Sequence, residues 1–378
     1  MDGLTRPVLT TRRLRLEPLT VDHIEDLVDL DSDPEVLRFI FGRALTREEV
    51  LGTWMPRRLS PEADARGLGF WVGHAEDRFV GWWCLAFDPA LPDTAELGYR
   101  LRRDAWGRGY ATEGARALLD HAFTTIGLPR VWAETMAVNA GSRNVMAKLG
   151  MRHVRSEVRD WEHPLPGADL GEVIYEITPA EFRRAEAVAT WNAEAEGYDE
   201  PADHGLADPA VRDAWRSLLL GVLPPAPGRV ADLGCGTGSL SLLLAEAGYV
   251  VDGLDLSPAM VEQALAKTAG RPEVTVRQGD ASEPTLAAAS YDVVLCRHVL
   301  WAMPDPGVAL DRWLALLRPA GRLVLVEGKW STGAGLTSDR AVALVRGAGL
   351  DPTLTPLDDP ALWGGPVTDH RYLVTATT

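Results

Sequence analysis

Residues 232–238 read Asp232-Leu233-Gly234-Cys235-Gly236-Thr237-Gly238, beginning in the last two residues of a short strand-like stretch, 230–233. An apolar helical stretch, 240–247, follows them. Glycines at alternate positions let a backbone turn tightly and approach a ligand that a Cβ would block. The spacing is GxGxG, not GxGxxG, and an acid stands two residues before the first glycine. Working outward, a second strand, 250–254, ends in Asp255, where a ribose-binding carboxylate belongs in a doubly wound fold. A third acid, Asp280, lies in Gly279-Asp280-Ala281 after the strand 274–278. Strands at 291–296 and 322–327 alternate with helices at 257 onward and 308–317. Upstream, Asp208-Pro209 is a capped helix start, with Val211, Trp215, Leu218, Leu219 and Val222 recurring on one face. Continuous apolar strands alternating with helices predict a parallel sheet covered on both faces, a Rossmann-like α/β fold. The residues alone leave open a plain strand-to-helix turn or a nicotinamide cofactor.

The order of these motifs resembles the class I methyltransferases that use S-adenosylmethionine, over about 190 residues. The resemblance implies that Gly234, Gly236 and Gly238 form the cofactor loop, with Gly234 and Gly236 beside the methionine and ribose portions. It places Asp232 near the amino-acid end, Asp255 on the ribose hydroxyls, and Asp280 with Ala281 at the adenine. Ligands of open α/β sheets sit beyond the carboxyl ends of the strands. There the sequence offers His298 after 291–296 and Glu327 after 322–327, either of which is a candidate proton acceptor. His298 equally suits a hydrogen-bonded structural histidine. Trp301 and Trp330 suit packing or pocket walls, and Tyr198 is a candidate lid residue.

The first half carries a different pattern. Residues 11–18 alternate like an edge strand, and 20–30 have helical spacing. Strands are expected at 70–73, 80–86, 96–101, 131–138 and 172–177, helices at 112–123 and 142–149, and a turn-rich loop at 161–167. Between a strand and a helix stands Trp106-Gly107-Arg108-Gly109-Tyr110-Ala111-Thr112. Small residues at 107, 109 and 111 expose successive backbone N–H groups at a helix N-terminus, a cradle for an anion such as pyrophosphate.

With Asn139-x-x-Ser142 and Lys148-Leu149-Gly150-Met151, this segment resembles the GNAT superfamily of acetyltransferases, especially the ribosomal-protein N-terminal type. The resemblance covers about 180 residues and implies a mixed α/β (α+β) domain. It implies that Trp106, Gly107, Arg108, Gly109, Tyr110, Ala111 and Thr112 bind the pyrophosphate of acetyl-coenzyme A. Asn139 and Ser142 would approach its pantetheine and thiol, and Glu96 would be the base. Two departures stand out. Trp106 replaces the Gln or Arg of the superfamily pattern, and Met146 occupies the place of a proton-donating tyrosine. Ser142 is the replacement donor, or it simply caps a helix.

The charge balance is 38 Lys and Arg against 54 Asp and Glu, a net −16, which disfavours nucleic acid and anionic membranes as partners. Three dispersed cysteines suit neither a disulfide framework nor a zinc site, and with no signal-like or membrane-length apolar run they point to the cytoplasm. The junction at 183–189 divides the chain into an acetyltransferase-like domain, 1–184, and a methyltransferase domain, 185–378. The sequence thus predicts a bifunctional group-transfer enzyme that uses acetyl-coenzyme A and S-adenosylmethionine on small-molecule or peptide acceptors. Met146 favours two alternatives: a methyltransferase whose first domain is a degenerate binding or regulatory module, and a non-enzymatic cofactor sensor or scaffold. The acceptors and the oligomeric state are not legible.

Overall fold

The computed structural model describes residues 6–159 and 164–378, so residues 161–163 of the expected loop lie outside the described residues. The chain divides into two compact units, Met1–Glu186 and Ala187–Thr378, within helix Pro179–Glu194.

Among the described residues, the first unit is built on one sheet of eight strands: β1 (Leu9–Thr10), β2 (Arg15–Pro18), β3 (Gly69–Ala75), β4 (Arg78–Ala86), β5 (Thr94–Leu101), β6 (Arg130–Met136), β7 (Arg152–Glu157) and β8 (Glu172–Ile177). Their spatial order is β1-β2-β3-β4-β5-β6-β8-β7. All pairs are antiparallel except β5 and β6, which run parallel and pair only at Thr94–Arg130, Ala95–Val131 and Glu96–Trp132. Both strands continue well past that point, so the sheet opens beyond Glu96.

Strand alternation assigns the two faces. Trp83, Leu85, Ala95, Leu97 and Leu101 pack under helix Tyr110–Asp120 through Ala115, Leu118 and Leu119. Gly114 lets that helix settle on the sheet, because a Cβ there would meet the Trp83 ring at 2.4 Å. Trp82 and Cys84 face the other way, into a smaller core with Leu27, Leu30 and Met55. The sequence reading missed β7, whose burial pattern alternates only weakly because Arg152, His153, Arg155 and Ser156 are exposed on a sheet edge.

The second unit contains β9 (Arg229–Leu233), β10 (Val250–Asp255), β11 (Val274–Gln278), β12 (Tyr291–Arg297), β13 (Leu317–Lys329), β14 (Thr353–Pro356) and β15 (His370–Thr377). The order β11-β10-β9-β12-β13-β15-β14 is parallel through β13 and antiparallel at β15 and β14. The central strands are buried on both faces, and two apolar layers cover them, one around Trp313 and Tyr372, the other around Trp215 and Leu243. The two antiparallel strands were not expected from the sequence. All three cysteines are free; Cys84 and Cys296 are buried, and Cys235 is half-buried. Among the described residues no helix is long and apolar enough to cross a membrane.

Candidate functional sites

In the first unit the glycine loop lies between β5 and helix Tyr110–Asp120. Gly107 and Gly109 take φ of 72° and 82°, in the left-handed region, and both are exposed. A Cβ on Gly107 would meet nothing within 4 Å, so the loop faces open space. The first helical bond runs from Glu113 N to Gly109 O at 3.0 Å, so the N–H groups of Tyr110, Ala111 and Thr112 precede the ladder. Arg13 braces the loop: it donates to the Arg108 carbonyl at 2.9 Å, pairs with Glu113 and lies over the Tyr110 ring. Arg108 itself is exposed, and Trp106 is half-exposed with its indole N–H on the Leu101 carbonyl. This exposed backbone cradle fits a pyrophosphate.

Asn139 caps helix Ala140–Lys148 by accepting from Ser142 N at 3.2 Å. Ser142 is therefore in the first turn and not the cap. Its Oγ lies 3.0 Å from the Tyr99 Oη. Met146 is 1% exposed and belongs to the core, so it presents no group to a ligand.

Glu96 stands on the opposite face of β5 from Tyr99, at the point where β5 and β6 part. The structure thus brings Tyr99 to Ser142 but does not bring Glu96 to either on that face. Burial, and then the nearby Glu134 carboxylate, push Glu96 up to about 7. Glu134 is held bidentate by Arg159 at 2.8 Å, and Arg159 also reaches Glu172 at 2.7 Å. The opening between β5 and β6 therefore carries a carboxyl that changes charge near neutrality. Tyr99 and Arg159 were missed by sequence reading. Alternation along the strand 96–101 carries the signal for the face of Tyr99, but nothing local points to its partner.

In the second unit Gly234 and Cys235 donate their N–H groups to the Leu254 carbonyl at 2.7 and 3.1 Å, which fixes the loop between β9 and β10. Asp255 completes it: one carboxylate oxygen accepts from Gly236 N and the other from Ser257 N, each at 2.9 Å. Gly238, with φ 79°, opens helix Ser239–Glu246. Burial raises Asp255 above the usual carboxylate range against these amide bonds. Asp232 is buried in β9, takes the Ser241 hydroxyl at 2.6 Å and is pushed up to about 6 by burial. Asp280 receives Ser282 N at 2.8 Å, and buried Ala281 gives its carbonyl to Trp313 Nε1 at 2.6 Å.

A segment ahead of the fold covers this loop. A Cβ on Gly236 would touch the Tyr198 ring at 3.4 Å, an ordinary contact, and the φ of 55° is what favours glycine there. Asp199 accepts from Thr237 Oγ1 at 2.5 Å and pairs with Lys267 at 2.6 Å. Gly234, Gly236, Asp255 and Tyr198 thus converge on one glycine-lined cradle at the carboxyl end of β9 and β10, which fits an adenosyl cofactor in chemistry and position.

Beyond β12 the chain makes a strained turn at His298, φ 59°, held by His298 N on the Val326 carbonyl and by the Trp301 indole on its own carbonyl, both at 2.8 Å. The ring packs against Trp330 and Trp363. Burial, and then Arg297, Arg371 and His204, hold the imidazole well below its ordinary value. The expectation of His298 as a proton acceptor is therefore corrected: this ring is neutral and weakly basic. Glu327 is fully buried, and one oxygen accepts from Val299 N and Leu300 N at 3.1 and 2.8 Å. It holds the turn after β12, and burial raises it to about 8.

Residues 13–152 match the model of the acetyltransferase (GNAT) domain, and residues 231–325 match a methyltransferase domain model. The FsC-acetyl coenzyme A-N(2)-transacetylase of Aspergillus fumigatus is 42% identical over 189 residues, which span 47% of this chain and 79% of that protein. The chain belongs to the GNAT acetyltransferases and carries a fused methyltransferase domain. For the second unit, the nocamycin O-methyltransferase of Saccharothrix syringae is 37% identical over 113 residues, 28% of this chain and 40% of that enzyme. The demethylmenaquinone methyltransferase of Clavibacter sepedonicus is 33% identical over 114 residues, 30% of this chain and 46% of that enzyme. The chain thus spans less than half the length of these two methyltransferases. Both families generally use acetyl-coenzyme A and S-adenosylmethionine respectively, which agrees with an exposed anion cradle in the GNAT unit and a glycine-lined cradle in the methyltransferase unit.

Proposed function

We propose that the chain transfers an acetyl group through residues 1–184 and a methyl group through residues 185–378, each to a small-molecule or peptide acceptor. The opening of the sheet beside Glu96 carries the first half of this reading. A carboxyl raised to about 7 by burial is matched to accept a proton from an amine near neutral pH. Acetyl-coenzyme A, when bound, supplies the activated acyl group. Trp106 to Thr112 would hold its pyrophosphate, Asn139 would orient the helix it caps, and the Tyr99–Ser142 pair would hold a proton on the opposite face of β5.

S-adenosylmethionine, when bound, supplies an electrophilic methyl group. Gly234, Gly236 and Gly238 would admit it, Asp255 would accept from its ribose hydroxyls, and Asp232 would support the loop from beneath through Ser241. Asp280 and Ala281 would border the adenine. His298 and Glu327 shape the acceptor side, Glu327 by holding the turn and His298 by presenting a neutral ring. Positioning of this kind supplies much of the catalysis in a displacement reaction. The free thiols suit a reducing, cytoplasmic setting. The test is incubation of the full chain with each isotopically labelled donor and an extract of metabolites and peptides, followed by mass spectrometry. Label transfer from both donors is expected, and transfer from only one donor overturns the bifunctional reading.

A further inference from the structure

The methyltransferase unit holds a set of polar groups that neither fold nor cofactor cradle accounts for. Arg371, on β15, is 14% exposed at its side chain, and its guanidinium makes no hydrogen bond within the described residues. The nearest carboxylate oxygens are those of Asp369 at 3.6 Å and Asp203 at 3.7 Å. Asp203 Oδ2 is also held by Arg297 at 2.7 Å, and Asp369, whose Oδ2 faces Arg371, gives its Oδ1 to Ser331 N at 2.9 Å. Nε of Arg371 and Nε2 of His298 are shut off from solvent without any partner. Buried polar groups in folded proteins are nearly always hydrogen-bonded, so such a pair requires an explanation.

These groups share one wall. Arg371 lies over the Trp363 ring, 4.2 Å from its centroid, and the His298 ring stacks on the same indole at 6.4 Å and 18°. Trp330 stands edge-on to His298 at 5.1 Å. The set lies at the carboxyl end of β12 and β13, where open α/β sheets bind ligands. Register places Arg371 opposite Gly328, next to Glu327 and close to Trp330. His298 holds a left-handed backbone that a β-carbon disfavours, and such strain collects at ligand sites. A guanidinium lying over an indole can present its edge to a planar, two-oxygen anion.

On these grounds, and resting on the methyltransferase reading of this unit, we infer that Arg371, with His298 and the Trp330 and Trp363 rings, forms an acceptor site for a planar carboxylic acid. The guanidinium edge takes the carboxylate. The His298 ring supports Trp330 and Trp363, and these indoles border the apolar body of the acid.

Calorimetry on the full chain tests this, with benzoate as probe and benzamide as its uncharged isostere, each titrated with and without saturating S-adenosylhomocysteine. Benzoate should bind about tenfold tighter than benzamide, as a charge-assisted hydrogen bond requires. Arg371→Gln should abolish that preference, and Arg371→Lys should keep part of it, with S-adenosylhomocysteine affinity and melting temperature unchanged in both. Equal binding of the two probes to the wild type, or a preference that survives Arg371→Gln, overturns the carboxylate site while leaving the methyltransferase reading intact. Failure of S-adenosylhomocysteine to bind overturns the latter, and the probe comparison without it then decides the site alone. If Arg371→Gln does not fold, the Lys variant decides: an undiminished preference counts against the paired-oxygen geometry.

Discussion

Tyr99 Oη lies 3.0 Å from Oγ of Ser142, 43 positions further along the chain. The contact puts a phenol at the first turn of the helix that buries Met146. Burial raises that phenol to about 12, so it keeps its proton at neutrality. Loss of the hydroxyl should therefore be felt in turnover and not in cofactor binding.

Tyr99→Phe is expected to lower the acetyl-transfer kcat by about 10²-fold, the lower end for a general acid. Affinity for acetyl-coenzyme A should stay unchanged. Because the two hydroxyls act as one unit, Ser142→Ala in the Tyr99→Phe background should cost nothing more. Additive losses in single-turnover measurements would separate them.

Glu96 gives a pH dependence with a definite sign. Its value in the fold, about 7, lies above the ordinary 4.5 because of burial first and Glu134 second. The kcat/KM of acetyl transfer should rise with pH through about 7 as the base ionises. Glu134→Gln should move that limb to lower pH. The same shift favours the protonated carboxyl in the folded state, so it takes stability away as pH rises from 4.5 to about 7. Glu96→Gln should therefore melt higher than wild type in alkaline buffer, with the advantage gone in acid. A pH-independent rate profile would remove Glu96 as the base.

Asp255 binds two loop amides and retains further lone pairs for a diol. Asp255→Asn is expected to weaken S-adenosylmethionine binding by about 1.5–3 kcal/mol, the range for hydrogen bonds to a charged group. Acetyl-coenzyme A binding to the same protein is the internal control and should not move. Calorimetry that finds equal methyl-donor affinity in a folded variant would contradict the assignment.

Glu327→Gln tests a buried charge directly. The amide keeps an oxygen for Val299 N and Leu300 N while removing the ionisation. Since burial raises Glu327 to about 8 from 4.5, wild type loses stability as pH rises between those values. The variant should be more stable than wild type above about pH 8, by up to about 5 kcal/mol, and close to it in acid. Parallel melting curves across that range would refute this account.

Both folds were legible because their decisive turns are local. Glycines 234, 236 and 238 follow a strand and precede a helix within one short segment, as do Gly107 and Gly109, and periodicity carries the strands between them. What was not legible depends on distant pairing. The β7 edge hides in a weakly alternating row of exposed polar residues, and β14 and β15 return to the sheet only after a long connection. The Tyr99–Ser142 contact joins two elements, and its partner is invisible from either. His298 was found by its place after β12. Its basicity could not be, because Arg371 and His204 act on it from remote parts of the chain.

The three thiols described with the fold make an internal reporter. Burial raises all three well above the ordinary cysteine value, so scarcely any thiolate is present at neutral pH. Alkylating reagents need the thiolate, so the native chain should react slowly and in an ordered way. Cys235 sits in the glycine loop and packs against Val261, Ala264 and Val276, and Cys84 and Cys296 lie in strands. Iodoacetamide should therefore mark Cys235 first, at the frequency with which the loop opens, and a ligand in the cradle should slow that mark without touching the other two. Peptide mapping of a timed alkylation would then give loop-opening rates from the unlabelled wild-type protein.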